Sequence, residues 1–390
     1  MAVTFDPRAA TDAYIDGLGA EALAKAQDYT AGNHWLLLWG IAVSAIVAWL
    51  VIRSGVLDKV YARLESRSRW LRTLGVAATY LLVSTLISLP WSIYIEWYRE
   101  AHYGRTSQPL ADYLSQGGIG LVISIITGAL FLLGLYALIR RTARLWWAWG
   151  GALVVASLAF MLLLSPIVIE PLFNDFEPIP DGEVRDAVLA MADEADIPAD
   201  RVFVFDGSRQ SNNFTANVSG IGGSARIAIS DVALGEASLD EVKAVTGHEI
   251  GHYVLDHVWR SILVLSITAI LVLFLTARLY PVAARLLGSK APISDIRGLP
   301  VLVFVAGTLA TLASPILNTL TRVGEAEADA YSLQTARLPD ALAGALLKTA
   351  EYRYPRPGPL EEMIFYTHPS VENRILRAME WKAANTGSAE

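Results

Sequence analysis

Six stretches of the chain are apolar and free of charge over close to the roughly 20 residues that a helix needs to cross a bilayer. They are Trp35–Val51, Thr73–Ile95, Gly117–Ile139, Leu145–Ile169, Ile262–Thr276 and Leu299–Leu320. The pattern predicts six membrane-spanning helices. Pro90 lies in the second and Pro166 in the fourth. Each frees backbone groups that neighbours must satisfy, so both positions predict kinks. Trp35, Trp91, Trp146, Trp147 and Trp149 read as anchors at the membrane–water interface.

The remaining segments follow other periods. Residues 1–33 are polar, with Asp6, Asp12, Asp16, Glu21 and Asp28 against Arg8 and Lys25, and they lack the basic start and apolar core of a signal peptide. Glu21–Gln27 reads as a short amphipathic helix. Between the fourth and fifth apolar runs, Asp181–Ala195 has helical amphipathicity, Arg201–Phe205 reads as a strand, and Ser219–Ser230 as a Gly-punctuated strand or hairpin. Phe214–Ser219 reads as an exposed strand, suited equally to pairing with an extended peptide and to ordinary sheet packing.

The predicted fold is mainly α: a polytopic membrane helix bundle with six spans, a small β-sheet and, around the helix that carries His248-Glu249-Ile250-Gly251-His252, a zincin-like helical catalytic domain. Its divisions are a polar segment (1–33), a four-helix membrane region (34–170), a soluble catalytic insert (171–260), two further membrane helices (261–321) and a C-terminal helical region (322–390).

The candidate chemistry lies in Thr246-Gly247-His248-Glu249-Ile250-Gly251-His252. Ser238 and Glu241 have the spacing of a capping box, so a helix starts there, and the apolar pattern carries it straight into the fifth span. On such a helix His248 and His252 project from one face and can grip one metal ion, with Glu249 beside it as a general base. The plainer reading is a satisfied pair of polar helix residues. The chain has no cysteine, so a metal must be held by His and carboxylate.

A catalytic zinc takes a third protein ligand and keeps one position open. Glu325 and Asp329, four apart on a helix, offer that ligand and a carboxylate to receive the far N–H of a metal-bound histidine. A solvated helix face accounts for the pair as well. Glu327 is assigned to solvent, and His257, about 140° round a continuous helix from His252, is read as not a ligand.

Composition narrows the partners. With 54% hydrophobic residues and a mean hydropathy of +0.41, the chain belongs in a lipid bilayer. A net charge of −7 without a basic, aromatic-interleaved patch argues against a nucleic-acid partner.

The motif His248-Glu249-Ile250-Gly251-His252, followed by Glu325-x-x-x-Asp329-Ala330, resembles that of the type I CAAX prenyl proteases, which are integral-membrane zinc endopeptidases. Leu89-Pro90-Trp91-Ser92-Ile93-Tyr94, Asp206-Gly207-Ser208 and Thr367-His368-Pro369-Ser370 with Arg374 extend the likeness over roughly residues 35–380. The resemblance implies one Zn²⁺ held by His248, His252 and Glu325, with Glu249 as the base and Asp329 orienting a ligand. By the same likeness His368 steadies the oxyanion and Arg374 supports the site. It further implies a peptide or protein substrate that carries a prenyl group and pairs with the strand at Thr215, Ala216 and Asn217.

The chain departs from the family in two places. Eukaryotic members are similar but have seven spans. Family members usually carry Asn-Ala-Tyr on the substrate-binding strand where this chain has Thr215-Ala216-Asn217, which weakens the transfer of side-chain contacts and of the prenylated substrate while leaving main-chain pairing intact.

Arg53, Lys59, Arg63, Arg67, Arg69 and Arg72 between the first two spans, and Arg140, Arg141 and Arg144 between the third and fourth, favour a cytoplasmic placement of those loops. The zinc site would then be extracytoplasmic, whereas the family resemblance favours the cytoplasmic side. The competing functions are a quality-control protease for misfolded polypeptides and a non-catalytic membrane protein with a structural zinc site.

Overall fold

The computed structural model describes residues 5–198, 201–219, 226–349 and 353–386. Among these residues the chain forms fifteen α-helices and one four-stranded sheet. Helix α1 (Pro7–Asp16) precedes α2 (Ala20–Ser54), α3 (Val56–Arg63), α4 (Arg69–Ser92), α5 (Arg99–His102), α6 (Leu110–Thr142) and α7 (Trp146–Leu164). Next come β1 (Phe176–Pro178), α8 (Glu183–Glu194), β2 (Val202–Phe205), β3 (Ala216–Ser219), β4 (Arg226–Ser230), α9 (Asp231–Glu236) and α10 (Leu239–Val254). Helices α11 (His257–Leu287), α12 (Leu299–Thr335), α13 (Pro339–Thr349), α14 (Pro359–Phe365) and α15 (Val371–Thr386) complete the order.

Six helical stretches are long and apolar enough to cross a membrane, and each coincides with one of the six runs expected from the sequence to within a residue or contains it. They pack around Val51, Val76, Leu132, Tyr136, Leu299 and Val301, while Leu263, Ile267, Leu312 and Ile316 point outward. Burial from water cannot drive helices together in lipid, so association rests on close van der Waals fit, which small residues allow. Gly151 of α7 illustrates this, because a Cβ there would collide with Ile270 of α11.

The two prolines alter the helices at the expected places. After Pro90 the α-helix passes into a π-helical stretch, Ile93–Tyr98, and Pro166 lies inside a second one, Ser165–Ile169. A wider turn accommodates the ring and the missing N–H.

Helix α2 corrects the reading of Glu21–Gln27 as a separate short helix, since these residues form the first turns of a helix that continues to Ser54. A second correction concerns the metal helix. It does not run into the fifth span but ends at Val254, and Asp256 adopts a left-handed conformation (φ 56°) before α11 begins at His257. Aspartate tolerates that region better than most side chains, and neither Gly nor Pro marks the break in the sequence.

The sheet has the order β1-β2-β4-β3. Strand β2 pairs parallel to β4, and β1 and β3 pair antiparallel on the two outer sides. The central strand β4 is wholly buried, and β3 is an edge among the described residues. Residues 220–225, within the expected Ser219–Ser230 hairpin, lie outside the described residues. The sheet packs with α8 and α10 around Val188, Val202, Ile227, Ile229, Val242 and Ile250.

Helix α10 lies against α12 along its small-residue face. A Cβ at Gly251 would meet Cα of Ala328 at 3.2 Å and Cβ of Tyr331 at 3.1 Å, and one at Gly247 would meet Ser332 at 3.3 Å. Ser332 Oγ donates to the carbonyl of Ala244 across this contact at 2.6 Å. Gly251→Ala is therefore expected to cost about 1–3 kcal/mol through overpacking. Gly235→Ala, where a Cβ meets nothing within 4 Å, should be neutral or stabilising by up to about 1 kcal/mol. Thermal unfolding of the two variants in detergent checks the contrast, and equal midpoints would remove the packing argument.

Candidate active site

The site is assembled from α10, α12 and the turn that leads into α15. Ser238 Oγ accepts from the amide of Glu241 at 3.3 Å, and Glu241 Oε2 accepts from the amide of Ser238 at 2.7 Å, which makes the expected capping box. Lys348 of α13 donates to the same Oε2 at 2.8 Å, tying the start of α10 to the C-terminal helices.

Two turns further on, His248 and His252 converge with their Nε2 atoms 3.1 Å apart. Glu325 of α12 faces both, with Oε2 3.2 Å from His248 Nε2 and Oε1 3.4 Å from His252 Nε2. Oε2 of Glu325 is buried and accepts no well-directed hydrogen bond from the protein. Tetrahedral coordination at 2.0–2.1 Å sets donor atoms about 3.3 Å apart. His248, His252 and Glu325 therefore have the chemistry and the spacing to hold a metal ion.

Each histidine has a partner behind it. Nδ1 of His248 lies 2.9 Å from Oδ1 of Asp329, and Arg374 of α15 grips that carboxylate with Nε and a terminal nitrogen, both at 2.7 Å. Such a fork fixes the carboxylate in place as well as pairing its charge. Burial pulls the His248 pKa down, but the hydrogen bond to Asp329 and the close approach of the Glu325 carboxylate prevail and hold it up at about 9. Burial likewise opposes the charge on Arg374, and Asp329 outweighs it, keeping that pKa above its ordinary value.

His252 is backed by residues assigned elsewhere from the sequence. Because the helix breaks at Asp256, His257 is not carried away from the metal helix, and its Nδ1 lies 2.8 Å from Nδ1 of His252. Its Nε2 is 3.0 Å from Oε2 of Glu327, which also accepts from Arg260 at 2.6 Å. Glu327 thus pairs with two side chains of α11 rather than pointing freely into solvent. His257 is not among the three residues whose donor atoms converge, as expected, but the break in the helix brings its ring against His252 from behind.

A cavity of about 290 Å³ opens beside this cluster. Thr215 and Ala216 at the edge strand, His248, Glu249, His252, Glu325, His368 and Arg374 all line it. Asn217 does not, as the period of the strand turns it to the other face from Ala216. Glu249 is partly buried, and burial raises its pKa against the opposing pull of His248 and His252.

His368 sits in the turn before α15, whose start is capped by Ser370 Oγ accepting from the amide of Asn373 at 3.2 Å. Its Nε2 is 3.3 Å from Oε1 of Glu325, and Arg353 donates to its Nδ1 at 2.9 Å. Burial presses its pKa down to about 4, so the ring is neutral at neutral pH. Arg353 had no signal in the sequence, since it lies outside every motif.

A polytopic helix bundle that carries a His-Glu-x-x-His helix, a facing glutamate and an edge strand over one cavity defines a membrane-embedded metallopeptidase. The chain belongs to peptidase family M48, whose model matches residues 178–382. Residues 8–175 match the model described as CAAX prenyl protease N-terminal, five membrane helices. Among the described residues, that part of the chain has four helices able to span.

The chain is 29% identical over 363 residues to a Bacillus subtilis protein described as the uncharacterized metalloprotease YhfN, covering 91% of this chain and 85% of that one. It is 28% identical to an Arabidopsis thaliana CAAX prenyl protease 1 homolog, covering 87% and 81%. The crystal structure of S. mikatae Ste24p shares the fold, with a TM-score of 0.75 at 22% identity over 93% of this chain and 90% of that one. The protein is accordingly a multi-pass membrane metalloprotease that uses a metal cofactor and acts on peptides.

Removing the Arg374 guanidinium leaves Asp329 buried and without its ionic partner. Arg374→Ala is expected to destabilise the fold by about 3–5 kcal/mol. Arg374→Lys, which keeps the charge but loses the fork, should cost less. Denaturant unfolding in detergent measures both, and an unchanged midpoint for Arg374→Ala would contradict the pairing.

Proposed function

We propose that the chain is a zinc endopeptidase in which His248, His252 and Glu325 hold one Zn²⁺. The observation that carries this reading is the convergence of the two Nε2 atoms and the Glu325 carboxylate beside Glu249, at the wall of a cavity. Zinc held there supplies Lewis acidity for activating water and the scissile carbonyl.

Glu249 is the general base that takes a proton from the attacking water and passes it to the leaving amine. His368, whose Nδ1 accepts from Arg353, turns an Nε2–H toward the cavity and steadies the oxyanion. Asp329 and Arg374 orient His248, and His257 with Glu327 orients His252. The substrate lies extended along β3, the edge strand among the described residues, bound through main-chain groups at Thr215, Ala216 and Asn217.

The substrate class follows the relatives of plants and yeast described as CAAX prenyl proteases: a peptide carrying a prenyl group. A scaffold with a purely structural zinc site accounts poorly for Glu249, since such a site has no use for a carboxylate between its histidines facing an open cavity. For orientation, the charge asymmetry of the loops supports the basic ends of the spans in the cytoplasm and the zinc site outside.

Glu249→Gln should keep about one zinc per chain and lose nearly all turnover. Glu325→Ala should lose the metal, and Glu327→Ala should weaken its retention about 10–100-fold. Elemental analysis and metal titration of the purified variants test this, and full zinc in Glu325→Ala would reassign the third ligand. Zinc-dependent cleavage of a farnesylated peptide beside its unmodified twin, with Glu249→Gln as the blank, tests the substrate. Equal rates on the two peptides would remove the prenyl requirement.

A C-terminal tag should be cut by protease added outside intact right-side-out vesicles. A protected tag would reverse the orientation.

A further inference from the structure

The cavity holds one charge that the proposed mechanism does not consume. Arg353 lines it, and its described hydrogen bond is the one to His368 Nδ1 at 2.9 Å. Among the described residues no carboxylate lies within ion-pair distance of its guanidinium. The neighbouring cations are both engaged, Arg374 by Asp329 and Arg105 by Glu100 at 3.2 Å. Of the carboxylates in the cavity, Glu325 is committed to the histidine cluster and Glu249 is the base.

Arg353 is exposed to solvent at the cavity, yet the protein packed around its guanidinium and the two neighbouring arginines work against its charge, which favours an anion arriving beside it. A guanidinium offers five N–H donors in a planar fork, so the bond to His368 leaves donors for a second acceptor.

We propose that Arg353 is the anchor for the free C-terminal carboxylate of the peptide lying along β3. This rests on the zinc endopeptidase reading and adds a specificity determinant to it. The reach is short. His368 bridges Arg353 and Glu325 through contacts of 2.9 and 3.3 Å. Across one imidazole ring the anchor is thus at most roughly 9 Å from the ligand carboxylate, the length of two or three extended residues at 3.2–3.4 Å each. The anchor selects substrates cut close to their C-terminus and disfavours internal sites, where no carboxylate is available.

The experiment uses the full-length, zinc-loaded protein carrying Glu249→Gln, which binds without turnover. The probes are one short farnesylated peptide prepared as C-terminal acid and as C-terminal amide, with affinities read by calorimetry. The acid is expected to bind at least 10-fold more tightly. Arg353→Gln in the same background should remove that difference by weakening the acid alone, and Arg353→Lys should retain part of it.

Equal affinity for acid and amide, or no binding of either, overturns the proposal. So does an Arg353→Gln variant that weakens both forms equally, because the arginine would then act only by holding His368. The two readings separate in the Glu249 protein. Equal cleavage of acid and amide keeps the endopeptidase and removes the anchor, whereas an acid preference in binding with no cleavage of either keeps the anchor and removes the endopeptidase.

Discussion

The structure depends on the close approach of α10 and α12. His248, His252 and Glu325 come from elements far apart in the chain, and their donor atoms meet only because Gly247 and Gly251 let the two helix backbones nearly touch. What that approach brings together is electrostatically costly, with two carboxylates, two imidazoles and a guanidinium in one buried region. Burial of this kind is tolerable only when every charge is paired and hydrogen-bonded. Arg374 on Asp329, Asp329 on His248, and His257 with Glu327 behind His252 meet that condition for all but Glu325, whose Oε2 accepts no hydrogen bond from the protein.

The bilayer fixes the direction of the helices that carry these groups. Helix α12 is one continuous element from a membrane span to the residues facing the metal helix, so Glu325 and Asp329 are held by the bundle itself. Helix α10 is coupled differently. The left-handed residue Asp256 separates it from α11, which frees α10 to lie across α12 and turns His257 back toward His252. A rigid extension of the fifth span would have lost that contact.

The polar N-terminal segment also has a place in this arrangement. Arg356 bonds Asp12 and Asp16 of α1 and approaches Glu372 of α15, while Arg8 donates to Glu372 at 2.6 Å. Ile15 is fully buried among α13 and α15 with Leu342, Ile375 and Met379. Helix α1 thereby covers α13 and α15, the second of which follows His368 and carries Arg374. Charge and small size were all that the sequence displayed here, because the partners lie more than 300 positions away.

Local patterns determined much of this protein. A charge-free run long enough to span lipid admits few structures other than a helix, because the backbone must satisfy itself there. The Ser238–Glu241 cap and the spacing of His248 and His252 act within one or two turns, so they were legible as well. Helical spacing offered Glu325 and Asp329, the resemblance added His368 and Arg374, and folding brought the four to the same cavity wall or just behind it. Only the tertiary structure decided the break at Asp256, the pairing of Glu327 with α11, the side of β3 that Asn217 faces and the position of Arg353. Each depends on which distant element packs alongside, and no periodicity within the chain records that.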